Sequence, residues 1–269
     1  HVDDYKSYDT EKLRKHFLIE SVFATDDVLF TYTHYERLMV GGAMPIQTAV
    51  KLETVEQLKS EYFLQRRELG AINIGGSGKI SVDGEVFNID TKEALYIGRG
   101  AKDVIFTSDD SSNPAKFYLN STPAHCSYPT KKVNKENSKV LHMGAGDTCN
   151  ERDIYQLMIS TVLDTCQLQM GMTELKPGSI WNTMPMHTHS RRMEAYFYFN
   201  IPDTHAVCHF MGPAEETRHI WVGNEQAVVS PPWFLHSGVG TANYTFIWGM
   251  AGENLDYTDM DFHKPSEVK

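Results

Sequence analysis

Cysteine is scarce in this sequence. The 269 residues contain four (Cys126, Cys149, Cys166 and Cys208), with no Cys-x-x-Cys spacing. That excludes a disulfide-dense secreted scaffold or a cysteine zinc ribbon, and it fits reduced thiols in a cytoplasmic protein. No apolar run approaches the roughly 20 residues of a membrane-spanning helix. Basic residues are also in deficit: 25 Lys and Arg stand against 35 Asp and Glu, a net charge of −10. With no basic cluster, nucleic acid and anionic membrane surfaces are poor partners. The opening His1-Val-Asp-Asp-Tyr5 is acidic, unlike a signal peptide. No Gly-x-Ser-x-Gly elbow occurs. "GGSGKI" (75–80) lacks the spacing of a phosphate loop, because Asn73 and Ile80 occupy positions that need Gly and Ser or Thr. It reads as a tight turn between strands.

What is present has the composition of a soluble globular protein, 41% hydrophobic and 22% charged, long enough for one large domain or two. Helical spacing occurs at Thr10–Glu20, where Leu13, Phe17 and Leu18 share a face and Asp9 or Thr10 can cap. Thr54–Tyr62 is a second short helix candidate, and a helical turn is expected near Glu151–Ser160. The remainder is largely β. Asp83-Gly84 between alternating flanks predicts a hairpin, since both turn residues must tolerate positive φ. Pro123–Asn150, rich in turn formers and lysines, reads as a linker. Two β-rich halves run in parallel: "QRRELGAINIGGSG" (65–78) with "SRRMEAYFYFN" (190–200), and "KEALYIGRGAKDVIF" (92–106) with "EQAVVSPPWFLHSGV" (225–239). Such a repeat suggests a tandem barrel, divided as residues 1–130 and 131–269.

The chemistry concentrates in "PMHTHSRRMEAYFYF" (185–199). His187 and His189, two apart, project side by side from a strand. Glu194 lies at odd parity, so a turn at Ser190-Arg191 is needed to bring it back. On the next strand Arg192, Glu194, Tyr196 and Tyr198 share one face, and Ala195, Phe197 and Phe199 the other. His236, in "SPPWFLHSGVG", offers a third imidazole. A lone His-x-His is commonly a surface pair. Three imidazoles with a carboxylate instead form a mixed shell for Zn²⁺, Mn²⁺, Fe²⁺ or Ni²⁺. His205 and His209 read as ordinary strand histidines, and His125, His142 and His219 lack partners of suitable spacing.

The spacing H-x-H-x₄-E followed by P-x₄-H resembles the paired motifs of the cupin superfamily, although Glu225 and Trp233 replace usual second-motif glycines. Longer stretches, among them "YFLQRRELGAINIGGSGKISVDG", "TCQLQMGMTELKPGSIWNTMPMHTHSRRMEAYFYF" and "NEQAVVSPPWFLHSGVGTANYTFIWGMAGEN", are similar to the 5-keto-4-deoxyuronate isomerase family. The resemblance implies a mostly β, tandem cupin fold with a few short helices, and one Zn²⁺ per chain on His187, His189, Glu194 and His236. It also implies a homohexamer and a place in pectin and uronate catabolism. The N-terminal half keeps the frame without the ligands: Tyr62, Leu64 and Asp103 stand where the histidines would be.

The implied reaction is an aldose–ketose isomerisation of 5-dehydro-4-deoxy-D-glucuronate to 3-deoxy-D-glycero-2,5-hexodiulosonate. The alternatives are a 5-deoxy-glucuronate isomerase of inositol catabolism, a cupin dioxygenase, and a non-enzymatic sugar-binding metal cupin. A ligated Glu194 is a poor base, which leaves Tyr196, Tyr198, Glu253 or hydroxide held by the metal, with Tyr198 and Glu253 carried forward. For the substrate carboxylate, Arg192 is the first expected anchor and Arg218 the second.

Overall fold

The computed structural model describes residues 1–253 and 256–269. The single α-helix among them, Thr10–Phe17, starts where the Asp9 side chain accepts a hydrogen bond from Lys12 N at 2.8 Å, and it buries Leu13 and Phe17. It stops short of the expected Glu20 because Leu18 and Ile19 turn extended and pair with Val228 and Ala227. The second expected helix shrinks to a 3₁₀ turn at Glu56–Leu58. The helical turn expected near Glu151 is instead the strand Arg152–Met158. Its place in the sheet, between Lys139–Met143 and Gln169–Leu175, overrides the helical spacing.

Chain contacts divide the protein into two compact units, one of His1–Ser21, Val140–Tyr155 and Gly171–Lys269, the other of Val22–Lys139 and Gln156–Met170. The division differs from a cut at 130/131 for two physical reasons. The Leu18–Ile19 pairing ties the first residues to the C-terminal unit. The buried Glu68 carboxylate accepts backbone N–H bonds from Cys166, Gln167 and Leu168 at 2.8–2.9 Å, which holds that segment in the other unit. The expected linker also carries structure, with strands Lys131–Val133 and Lys139–Met143.

The unit containing Val22–Lys139 has a six-stranded and a four-stranded antiparallel sheet. Asp83 and Gly84, both at positive φ, join strands Gly78–Val82 and Glu85–Ile89 as the hairpin signal required. Leu69, Ala71, Leu95, Ile97, Phe117 and Leu119 from one sheet meet Ile80, Val82, Ile89 and Phe106 from the other in a fully apolar interior.

In the other unit, one sheet runs through Gln226–Ser230, Arg192–Phe199, Thr245–Gly252 and Gln169–Leu175. The second runs Arg218–Val222, Val207–Met211, His236–Gly240, Trp181–Thr188 and Asp261–His263. The residues sharing a face here are polar where those of the first unit are apolar. Paired antiparallel sheets in each unit make this the tandem cupin class expected from the sequence.

Candidate metal centre

The strand Trp181–Thr188 ends one residue before His189, and the next strand starts at Arg192. This break at Ser190-Arg191 resolves the awkward parity of Glu194. The second strand pair delivers His236, the first residue of its strand, directly across from His187. Ser230, across from Glu194, places its Oγ 3.1 Å from His236 Nδ1. With the Nδ1 proton donated to that hydroxyl, Nε2 is left as a free donor atom.

All four ligand-type residues are buried, and their donor atoms lie within 4.8 Å of one another. His187 Nε2 is 3.1 Å from both His189 Nε2 and His236 Nε2. Glu194 Oε2 is 3.2 Å from His189 Nε2 and 3.0 Å from His236 Nε2. For a metal–nitrogen bond of about 2.1 Å, neighbouring ligands at right angles sit about 3.0 Å apart, and those of a closed tetrahedron about 3.4 Å. The donor set fits a divalent transition ion and matches the former spacing more nearly.

The electrostatics agree. Burial pushes His187 well below the usual imidazole value and lowers His236 as well. Burial opposes ionisation of Glu194, but the imidazoles of His236 and His189 outweigh it and hold the carboxyl well below its usual range. An ionised Glu194 beside His187 and His236, whose protonation burial disfavours, is the state that metal ligands must reach.

Arg192 is buried as few arginines are, at 1% exposure. Its Nη2 lies 2.6 Å from Asp259 Oδ1 and donates to Tyr257 O at 3.0 Å. Its Nε lies 3.2 Å from His189 Nδ1, and Asp259 Oδ1 lies 3.5 Å from the same nitrogen. The two contacts ask for opposite tautomers. Arg192 can donate only to a bare Nδ1, whereas Asp259 accepts only from a protonated one. The guanidinium expected to anchor substrate is thus engaged by protein groups around His189. Asp259 carried no motif signal that could have revealed it.

The other expected residues are dispersed. Arg218 pairs with Glu216 at 2.8 Å and donates to Lys6 O and Thr217 O, on an edge strand that ties down the N-terminal segment. Glu253 is exposed at the end of its strand, with its backbone N–H on Arg191 O. Tyr196 and Tyr198 do share the Glu194 face. The Tyr196 ring packs 5.1 Å from that of His236, and the Tyr198 hydroxyl lies 2.7 Å from His209 Nδ1. Burial raises both phenols well above their usual value, so both are protonated. His205 lies outside the strand that contains His209. His142, expected to lack a partner, has its Nδ1 2.6 Å from Asp153 Oδ1.

A second group joins His125, Cys126 and Cys166, also within 4.8 Å, although the sequence spacing suggested no partner for His125. The two sulfurs are 3.6 Å apart, and burial pushes Cys166 up to about 11, a thiol rather than a ready ligand.

Residues 17–267 match the family model described as the KduI/IolB family. The 4-deoxy-L-threo-5-hexosulose-uronate ketol-isomerase of Formosa agariphila is 59% identical to this chain over 264 residues, covering 98% of the chain and 94% of the relative. Among solved structures, an IolB-like protein from Salmonella typhimurium superposes with a TM-score of 0.74 at 12% identity, over 92% of this chain and 96% of that one. An oxalate decarboxylase from Lactobacillus farciminis gives 0.60 at 12% identity, over 87% and 83% respectively. These two likenesses speak for the fold. The chain belongs to the KduI/IolB family.

Proposed function

We propose that this protein is a metal-dependent ketol-isomerase that converts 5-dehydro-4-deoxy-D-glucuronate to 3-deoxy-D-glycero-2,5-hexodiulosonate. The observation that carries the reading is full-length identity of 59% to an isomerase of that name, with a buried His187, His189, Glu194 and His236 set at its core. Zinc, one ion per chain, a homohexameric assembly and a cytoplasmic location are the finer parts of the same reading.

The reaction moves two hydrogens, one from C2 to C1 and one from the C2 hydroxyl to the oxygen on C1. In substrate numbering, C2–H is lost, C1 gains a hydrogen, the aldehyde becomes a primary alcohol, and the C2 hydroxyl becomes a ketone. A bound divalent ion would supply Lewis acidity to the reacting carbonyl. The three imidazoles and Glu194 would hold that ion. With Nε2 given to an ion, His189 Nδ1 would carry the proton, and Asp259, 3.5 Å away and paired with Arg192, is the acceptor beside it. Tyr196, protonated on the Glu194 face, presents a donor to charge that develops on oxygen, while Tyr198 turns its hydroxyl to His209 Nδ1. Neither phenol is suited to remove the C2 proton in that state.

The test is incubation of the purified protein with 5-dehydro-4-deoxy-glucuronate, and separately with 5-deoxy-glucuronate, followed by ¹³C NMR. Appearance of the 2,5-diketo product from the first substrate alone is the expected result. Turnover of the second alone would move the protein to the inositol-pathway activity, and turnover of neither would leave a binding protein.

A further inference from the structure

We infer that His209 contacts the substrate, with its Nε2–H donating to an oxygen of the deoxy-keto-uronate bound beside the metal-ligand cluster. The inference rests on the isomerase reading above and adds a residue that the sequence pattern assigned to ordinary strand packing.

Three observations converge. First, His209 has zero exposure, and its Nε2 is buried without a hydrogen-bond partner among the described residues. A buried polar nitrogen left unsatisfied is costly, so native proteins rarely keep one that has no use. Second, the tautomer can be worked out. The Nδ1 lies 2.7 Å from the Tyr198 hydroxyl. If Nδ1 carried the proton, both the phenolic hydrogen and the Nε2 lone pair would be stranded. If the phenol donates to Nδ1, only one group remains open, an Nε2–H. Burial supports this arrangement by pulling His209 down to about 3 and raising Tyr198, so both stay neutral at physiological pH.

Third, the placement is right. His209 lies directly across from Gly238, which is two residues along its strand from the ligand His236 and therefore on the same face. A Cβ at Gly238 would sit 3.0 Å from the Tyr198 hydroxyl and 3.1 Å from that of Tyr244, so glycine leaves the room that the Tyr198–His209 pair occupies. The Tyr196 ring bridges the two histidines, 5.5 Å from His209 and 5.1 Å from His236.

A protonated Nε2 cannot be a fifth metal ligand; it can only donate. Its partner must be an acceptor oxygen, and a keto-uronate brings carbonyl, hydroxyl and carboxylate oxygens. Tyr198 then acts as a positioning residue through His209, which explains why its hydroxyl is turned to an imidazole.

The experiment uses the metal-loaded full chain. Wild type, His209→Phe and His209→Gln are compared for kcat and KM on 5-dehydro-4-deoxy-glucuronate, with metal content and Tm measured alongside. Losing one neutral donor should raise KM about three- to tenfold with a smaller change in kcat, and Gln, which keeps a donor, should recover most of the loss. In parallel, the protein labelled with ¹⁵N-histidine should show the Nε2–H tautomer at His209, and that resonance should move when the substrate–product mixture is added. If His209→Phe fails to fold, the Gln variant and the NMR signal decide. Wild-type turnover with an unmoved resonance, or with unchanged KM in a folded His209→Phe, overturns the inference and leaves a buried water as the acceptor. Absence of wild-type turnover and of any shift overturns both this inference and the isomerase reading.

Discussion

Replacing Arg192 separates two roles that one sequence position could play. An anchor for the substrate carboxylate would give a higher KM on removal. A support for His189 would give weaker metal binding. The geometry favours the second: Nη2 is 2.6 Å from Asp259 Oδ1, which in turn is 3.5 Å from the Nδ1 of a ligand histidine. Residues that orient metal ligands are typically worth 10- to 100-fold in metal affinity, or about 1.4–2.8 kcal/mol. Breaking a buried ion pair is also costly, about 3–5 kcal/mol of stability, so Arg192→Lys is preferable to Arg192→Ala because it retains the charge. Competition against a fluorescent chelator reads the metal affinity, and steady-state kinetics at saturating metal read KM. The expected outcome for Arg192→Lys is metal affinity lowered about 10- to 100-fold, with KM of the loaded enzyme within about twofold of wild type. Unchanged metal affinity with a KM raised tenfold or more would refute this reasoning and restore Arg192 as the carboxylate anchor.

Glu194→Gln keeps the shape of the cluster and removes its only carboxylate; after dialysis the variant should retain no bound metal and lose more than about 100-fold in activity, read by elemental analysis and turnover. Acidification should destabilise the metal-free protein through His209, whose pKa is about 3 when folded against the ordinary 6.5 of an unfolded chain. The unfolded state takes up the proton first, so stability is constant above pH 6.5 and falls below it, by about 2 kcal/mol at pH 5. The difference in urea midpoint between wild type and His209→Gln at pH 8 and pH 5 checks this; equal shifts in both proteins would contradict it. At the Asp83-Gly84 turn, Gly84 has φ of +91°. Gly84→Ala should therefore cost about 1 kcal/mol in chemical denaturation, without affecting bound metal.

The buried cluster of three histidines and Glu194 was legible because its parts sit in two short motifs with fixed spacing, and strand parity even required the break at Ser190-Arg191. Residues further out were not. Asp259 lies 70 positions from His189 in sequence, in a segment without periodic pattern. His209 followed the alternation of a buried strand, so pattern alone could not distinguish it from packing residues. Arg192 was placed on the correct face, but its burial and its Asp259 partner, which only the folded chain reveals, favour a place beside His189 over that of a substrate anchor. In the fold, the Asp83-Gly84 hairpin and the strands around it were readable from local chemistry. The Glu56–Leu58 turn and the Arg152–Met158 strand were not, because tertiary pairing overrode weak helical spacing there. The same holds for the division into units, which depends on the Leu18–Ile19 pairing and on a buried Glu68 far from the segment it holds.

A metal ion held by His187, His189, Glu194 and His236 would make this chain an isomerase. The most direct test is a single titration: the purified protein is stripped with chelator, assayed on 5-dehydro-4-deoxy-glucuronate, and reassayed as Zn²⁺ is returned. Activity should disappear with the metal and return in proportion to added ion, reaching a plateau at one per chain. Full activity in metal-free protein would contradict it.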